Sequence, residues 1–504
     1  MTRPRRSHLS PVRAAACIAL TALCFASCGE SQTAEPETAR AEPPLQETAR
    51  NVILLVVDTL RADRLGCYGY PRNTSPNIDA WAAGGTLYED NRGQGSWTRP
   101  AMISMMSGSY ITTLEEQLPP ELPTLAELVQ GAGKTTAAMV GNKILVGERG
   151  FPRGFDTFEA PKSNGNARPM LRQFYKWYDR QEEPLKDGPG FFAWLHVMDP
   201  HAPREPAKRF RDELKGNDPE TAELMQLWNT LKDDVESPPA GGMTFDEATA
   251  KMLDDRAAYD AEVRAMDDCF GQLIAFLRRR GELEQTLIIL TSDHGEELYQ
   301  QPRVAQELRR MRRLVTLKRD VMDLVSFGHS LTFQEEVWHI PLIFAGPGFP
   351  AGTTREGLAA NLDIFPTVLQ ALGIAAPPAT PGQSLLGGVA PQRKQVFGFT
   401  HGMVAVKDSS GLKLVDRTDW RDYTRFEPVD RDDEADGSPL ELYDLNVPHG
   451  DGNNVAADHE REVEYLSAGI AKWRKQYQRA VTDTELGQAD LDALRELGYV
   501  GDDH

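Results

Sequence analysis

The chain has 504 residues, 40% of them hydrophobic and 26% charged, which suits one large folded domain with a smaller companion, or two to three average domains. With 55 Lys and Arg against 75 Asp and Glu the formal net charge is -20, a field that repels polyanions and excludes nucleic acid as an expected partner. A small anionic substrate remains compatible with that field, because a bound cation outweighs it locally.

Residues 1–28 read as a targeting segment. Arg3, Arg5, Arg6 and Arg13 precede the apolar stretch Ala14–Ala26, which is too short to span a bilayer comfortably. Phe25-Ala26-Ser27-Cys28 resembles a bacterial lipobox, in which Cys28 takes lipid and becomes the new N-terminus. Phe25 stands where Leu is preferred, so plain secretory cleavage is the alternative. Residues 29–48, rich in Pro, Glu and Thr and without apolar periodicity, read as a flexible tether. The expectation is an exported protein of the periplasm or cell envelope that meets the membrane only through an N-terminal lipid anchor. Of the five cysteines, Cys67 and Cys269 lie beyond this region; an oxidising compartment leaves a disulfide between them open, and their spacing suggests no metal site.

After the tether, Asn51–Val57 (NVILLVV) is a continuous apolar and β-branched run, the pattern of a strand buried on both faces. Similar runs recur at Thr135–Val140, Phe191–Val197, Thr286–Leu290 and Pro341–Phe344, with helical patterns at Pro123–Gln130, around Ala248–Leu277 and at Asp363–Leu372. Strands alternating with helices predict a doubly wound α/β domain, placed at residues 49–390. Beyond about Gln395 the runs shorten (QVFGFT, GMVAVKD, LKLVD, LELYDL), which predicts a small antiparallel sheet in a C-terminal subdomain, residues 391–504. Lys162–Gly188, Pro203–Glu247 and Leu298–Val325 carry no readable motif and are expected to be loops and insertions that set specificity.

In open α/β sheets ligands gather beyond the carboxyl ends of the strands. Asp58 follows the first run, His196 and His201 lie in and just after the third, and Asp293 and His294 follow the fourth. Each alone has a structural explanation, such as a helix cap; three strand ends together point to a site. Asp58, Asp293 and His294 form a donor set that suits a hard or borderline divalent ion.

These residues sit in longer strings. Val56-Val-Asp58-Thr-Leu-Arg61-Ala-Asp63 with Gly66-Cys-Tyr-Gly69, and Thr291-Ser-Asp293-His294-Gly-Glu296, resemble the metal motifs of the sulfatase branch of the alkaline phosphatase superfamily. Pro341–Gly348, Asp363–Thr367, Leu440–Leu445 and Leu494–Val500 resemble further landmarks of that family, so the likeness covers about Asn51 to Val500. It implies a mixed sheet flanked by helices, hydrolysis of a sulfate ester on a small molecule or glycan, and one divalent ion, Ca²⁺ by the family, with Zn²⁺ or Mn²⁺ as alternatives.

The nucleophile segment departs from the family pattern. Pro100 and Gly108 fall in register with the sulfatase signature, which puts Thr98 at the nucleophile, Ala101 in place of Ser and Met102 in place of Arg. Threonine cannot yield formylglycine, because its carbinol carbon carries a methyl group. A threonine hydroxyl held at a divalent ion can instead attack phosphorus or sulfur, as in the related phosphoethanolamine transferases, whose ligand pattern resembles Asp58, Thr98, Asp293 and His294. Phosphate or phosphonate ester cleavage, transfer of a phospho-substituent and a catalytically silent anion-binding homologue therefore stand as alternatives. The structural alternative for Thr98 is an N-cap of a helix starting at Arg99-Pro100. His196-Val-Met-Asp199-Pro-His201 and Phe327-Gly-His329-Ser resemble the segments that place His201 and His329 over the anion and leaving group; His196 and Arg61 are further candidates. Arg61 has either substrate oxygens or Asp63 as its partner, and Asp199 is expected to orient the turn. Gly131-Ala-Gly133-Lys134-Thr135 has the wrong order of helix and strand for a phosphate loop and reads as a helix C-cap, while Glu307–Arg319 reads as a solvated helix.

Overall fold

A computed structural model describes residues 48–478, apart from 113–116, 148, 161–164, 217, 232–242, 301–328, 331, 420–438 and 449. The targeting segment, residues 29–47 of the tether, the basic run Glu307–Arg319 and the Leu494–Val500 string lie outside the described residues. The central sheet contains β1 (Asn51–Val57), β2 (Thr86–Arg92), β3 (Thr135–Val140), β4 (Thr157–Glu159), β5 (Phe191–Val197), β6 (Thr286–Thr291), β7 (Leu342–Ala345) and β8 (Thr353–Ala360) in the order β4-β3-β5-β1-β6-β7-β2-β8. Every neighbouring pair is parallel except those of β7, which runs against β6 and β2, so the sheet is mixed.

The apolar runs become strands because both faces of the sheet are covered. Along β1, Val52, Leu54 and Val56 enter one core with Trp194, Phe344 and Ile364. Ile53, Leu55 and Val57 enter the other with Phe174, Tyr259 and Phe270, as a period of two requires. The flanking helices are α1 (Pro76–Ala82), α2 (Thr98–Ser107), α3 (Leu125–Gly131), α4 (Ala167–Asp187), α5 (Lys208–Glu213), α6 (Thr221–Leu231), α7 (Phe245–Arg280), α8 (Glu335–Trp338) and α9 (Ile364–Ala371). The long α7 starts at a capping box, Thr244 with Glu247, and stops at Gly281 in the left-handed region (φ 72°). Ahead of β1, the amides of Thr48 and Ala49 donate to the Ala371 carbonyl at 2.9 and 3.0 Å, fastening the chain at the end of the sheet opposite Asp58.

Beyond it lies an antiparallel sheet of β9 (Gln395–Thr400), β10 (Met403–Asp408), β11 (Leu412–Asp416) and β12 (Leu440–Asp444), in the order β12-β11-β10-β9. Helix α10 (Glu460–Tyr477) buries Leu466, Ile470 and Trp473 with it; the Trp473 ring stacks on Phe397 at 5.4 Å. Among the described residues no helix is long and apolar enough to cross a membrane.

One expectation is corrected. Lys162–Gly188, read as a loop, is mostly α4. Met170, Leu171, Phe174, Trp177 and Tyr178 recur at helical spacing and are buried against the sheet and α7, a stripe obscured by the many interspersed charges. The disulfide left open above is not formed: Cys67 and Cys269 are free thiols.

Candidate active site

Four neighbouring strands, β3, β5, β1 and β6, deliver the site from their carboxyl ends. Asp58 follows β1, Asp293 and His294 follow β6, His196 is the penultimate residue of β5, and Thr98 opens α2. All five side chains are fully buried. One donor atom each from Asp58, Asp293 and His294 lie within 4.8 Å of one another. His294 Nε2 is 3.6 Å from Asp58 Oδ1 and 3.5 Å from Asp293 Oδ2. Thr98 Oγ1 donates to Asp58 Oδ2 at 3.3 Å and stands 3.3 Å from His294 Nε2. His196 Nε2 lies 3.9 and 3.8 Å from the two carboxylates.

The electrostatics of this group would suit a cation. Burial and the neighbouring Asp293 push the Asp58 carboxyl up to about 6. Burial works the same way on Asp293, yet His294 and His196 hold it below the usual carboxylate range. Among the described residues, Asp58 Oδ1 and Asp293 Oδ2 are buried with no hydrogen-bond partner within normal distance. Buried carboxylate oxygens of that kind are costly unless a positive charge meets them. Two carboxylates, an imidazole and a hydroxyl fit a divalent ion.

Thr98 is not a cap. It is the first helical residue of α2, Trp97 holds the N-cap position, and no side-chain capping bond forms there; the hydroxyl turns to the carboxylates instead. The glycine of the Asp-His-Gly string is a close-approach residue: Gly295 N donates to Val337 O at 2.7 Å, and a Cβ would overlap the Glu336 carbonyl.

A second group lies beside the first. The His329 ring is 4.4 Å from that of His294 and 5.4 Å from that of His201. His329 Nδ1 is 3.0 Å from Glu296 Oε1, and Glu296 Oε2 accepts from Arg204 Nη2 at 2.8 Å. Burial alone would raise Glu296; His329 and Arg204 hold it well below the ordinary glutamate range. Burial lowers the His201 imidazole below its ordinary value. The Ser330 carbonyl, next to His329, accepts from Ser96 Oγ at 3.1 Å and Thr400 Oγ1 at 2.9 Å, so the small sheet helps seat this segment.

Arg61 takes the Asp63 alternative: its fork donates to both Asp63 oxygens at 2.8 and 2.5 Å and to the Glu296 carbonyl at 3.1 Å. Asp199 Oδ2 accepts from the Ala167 amide at 2.6 Å, seating the start of α4. Asn142, Glu296 and Arg204 were not assigned roles from the sequence. Asn142 Nδ2 donates to Asp58 Oδ2 at 2.9 Å and to Thr98 Oγ1 at 3.3 Å. It follows β3 two residues on, so the strand-end rule applied to amides as well as to charged groups would have found it.

The mixed sheet with acidic and imidazole groups at its carboxyl edge has the architecture of the sulfatase and alkaline phosphatase fold. The sulfatase family model matches residues 50–374, more than half of the chain, and the chain belongs to that family. It is 32% identical over 147 residues to the multifunctional alkaline phosphatase superfamily protein PehA of Trinickia caryophylli, covering 29% of this chain and 24% of that one. It is 22% identical over 555 aligned positions to the N-acetylglucosamine-6-O-sulfatase of Bacteroides thetaiotaomicron, covering 91% and 90%. Four curated relatives are matched over 24% to 61% of their own length. The fold is similar to that of the phosphonate monoester hydrolase of Agrobacterium radiobacter, with a TM-score of 0.61 at 18% identity over 87% of this chain and 98% of that one.

Proposed function

We propose that the chain hydrolyses a sulfate ester, or a phosphate or phosphonate ester, on a small molecule or glycan, with Thr98 as nucleophile. The observation that supports this most is the Thr98 hydroxyl, 3.3 Å from both Asp58 Oδ2 and His294 Nε2 inside a buried three-ligand cluster. Asp58, Asp293 and His294, with Thr98, would hold one divalent ion, Ca²⁺ by family and Zn²⁺ or Mn²⁺ by ligand chemistry, which supplies positive charge to the anion and acidifies the hydroxyl. Thr98 Oγ1 gives its proton toward Asp58 and forms the bond to sulfur or phosphorus as the bond to the leaving oxygen breaks. His329, whose ring lies 4.4 Å from that of His294 and whose Nδ1 is held by Glu296, protonates that oxygen, and His201, edge-on to His329, serves the anion. Water then cleaves the threonine ester, releasing the anion and restoring the hydroxyl. Asn142 holds Asp58 and Thr98 in register before the attack.

The test is a panel of aryl sulfate, phosphate monoester, phosphodiester and phosphonate esters with added Ca²⁺, Mn²⁺ or Zn²⁺. Turnover lost in both Thr98→Ala and Asp293→Ala supports the reading. No turnover of any ester, together with unchanged cation content in Asp293→Ala, sinks it. The threonine itself favours one second reading, transfer of a phospho-substituent, which the same panel exposes as product appearing on an added alcohol instead of on water.

A further inference from the structure

The turn that carries Asp58 is strained. β1 is hydrogen-bonded on both sides, and the Asp58 amide still donates to Val197 O at 2.9 Å. The next residue, Thr59, has φ +58°, a left-handed conformation that a β-branched residue rarely adopts. Such a conformation persists only where the surroundings over-determine it.

Two hydroxyls from distant parts of the chain do so here. Ser292, which directly precedes Asp293, accepts from Leu60 N at 3.0 Å and lies 2.6 Å from Val57 O. Tyr259, from the middle of α7, donates its phenolic proton to Thr59 O at 2.7 Å and accepts from Arg61 N at 3.0 Å. The Tyr259 side chain is fully buried, and burial pushes its hydroxyl above the usual tyrosine range, so the phenol stays a donor. Its ring has a second neighbour: the Arg204 guanidinium lies 5.4 Å from the ring centroid. Arg204 in turn holds Glu296, which holds His329.

We propose that Tyr259 is a positioning residue for both halves of the site: its hydroxyl locks the strained Thr59 turn that aims Asp58, and its ring backs the Arg204–Glu296 pair that orients His329. The proposal rests on the reading that Asp58 and His329 serve one site. A tyrosine that merely filled the core would need neither the two backbone partners across a left-handed residue nor the arginine over its face.

The experiment separates the hydroxyl from the ring. Tyr259→Phe keeps the ring under Arg204 and removes only the clamp, while Thr59→Gly takes φ +58° at no steric cost. Calcium chloride titrated into the full chain by calorimetry should bind Tyr259→Phe about ten- to a hundredfold more weakly than wild type. Thr59→Gly in that background should restore most of the affinity. In EDTA the two substitutions should be non-additive in chemical unfolding, because glycine removes the strain that the hydroxyl offsets. Ca²⁺ affinity in Tyr259→Phe within twofold of wild type, or a loss that Thr59→Gly fails to restore, overturns the proposal. Should wild type bind no Ca²⁺ and cleave no ester, the hydrolase reading falls, and additivity or non-additivity of the cycle in EDTA decides the clamp by itself.

Discussion

Asn142→Asp is the substitution that interrogates the cluster most directly. It keeps the volume and the acceptor that takes Ile144 N at 3.1 Å, but it exchanges the amide donor 2.9 Å from Asp58 Oδ2 for a third carboxylate. Coulomb's law at that separation and an effective dielectric of about 20 gives roughly 6 kcal/mol of repulsion between two ionised groups. The Asp58 carboxyl, already pushed up to about 6, escapes that repulsion by keeping its proton, which at pH 7 costs about 1.4 kcal/mol, so the smaller figure is the ceiling. The sign follows from linkage: below about pH 6 Asp58 carries that proton in folded wild type as well, so the destabilisation is small there and grows as the pH rises above 6. A divalent ion among the carboxylates reverses it, because the added ligand charge then favours binding. Equilibrium unfolding in guanidinium at pH 5 and 7, with EDTA or saturating Ca²⁺, measures the effect. The expected result is a loss of about 1 to 2 kcal/mol at pH 7 in EDTA, mostly recovered with cation. An equal loss in EDTA and Ca²⁺ at both pH values would refute the reasoning, since a lost amide bond depends on neither.

Thr98→Ser should keep kcat/KM within about tenfold of wild type on whichever ester is turned over, whereas Thr98→Ala should lose about a thousandfold or more; similar values for the two would remove the hydroxyl from the chemistry. Glu296→Gln takes away the charge shared by Arg204 and His329, and should cost about 2–4 kcal/mol of unfolding free energy and about ten- to a hundredfold in kcat, read by denaturation and steady-state kinetics. Asp199 is pushed up to about 7 by burial and by Glu262, so its folded-state proton stabilises the fold at low pH and that contribution is lost as the pH rises. Urea unfolding from pH 4.5 to 7.5 should therefore show Asp199→Asn gaining on wild type with rising pH, by up to about 3 kcal/mol.

Legibility tracked burial. β1, β3 and β5 lie inside the sheet with both faces covered, so their residues form unbroken apolar runs and their predicted limits match those observed. β2 (TLYEDNR) and β8 (TTREGLAA) carry polar residues at the edge side of the sheet, where the alternation is exposed or bulged, and neither was foreseen. At the site, motif strings and strand ends coincide on Asp58, Asp293 and His294, while only the register of Pro100 and Gly108 singles out Thr98; the structure gathers all four side chains. Asn142 and Arg204 act by hydrogen-bonding those residues or their supports; Asn142 shows only if the strand-end rule is extended to amides, and nothing local in HAPREP distinguishes Arg204. The Tyr259 clamp was hidden for a further reason: its hydroxyl meets backbone 200 residues away, and strain at Thr59 leaves no mark in composition or periodicity.

The fastening of Thr48 and Ala49 to the Ala371 carbonyl has a mechanical consequence. A pull applied to the chain ahead of Thr48 runs along β1, whose seven residues span about 23 Å to Asp58. Because β5 and β6 flank that strand in parallel register, such a load shears many hydrogen bonds at once instead of opening them one by one. An attachment to a bead or solid support at that end is thus carried by an interior strand of the sheet, and the residues Asp58, Thr98 and His294 gather at the opposite end of that strand.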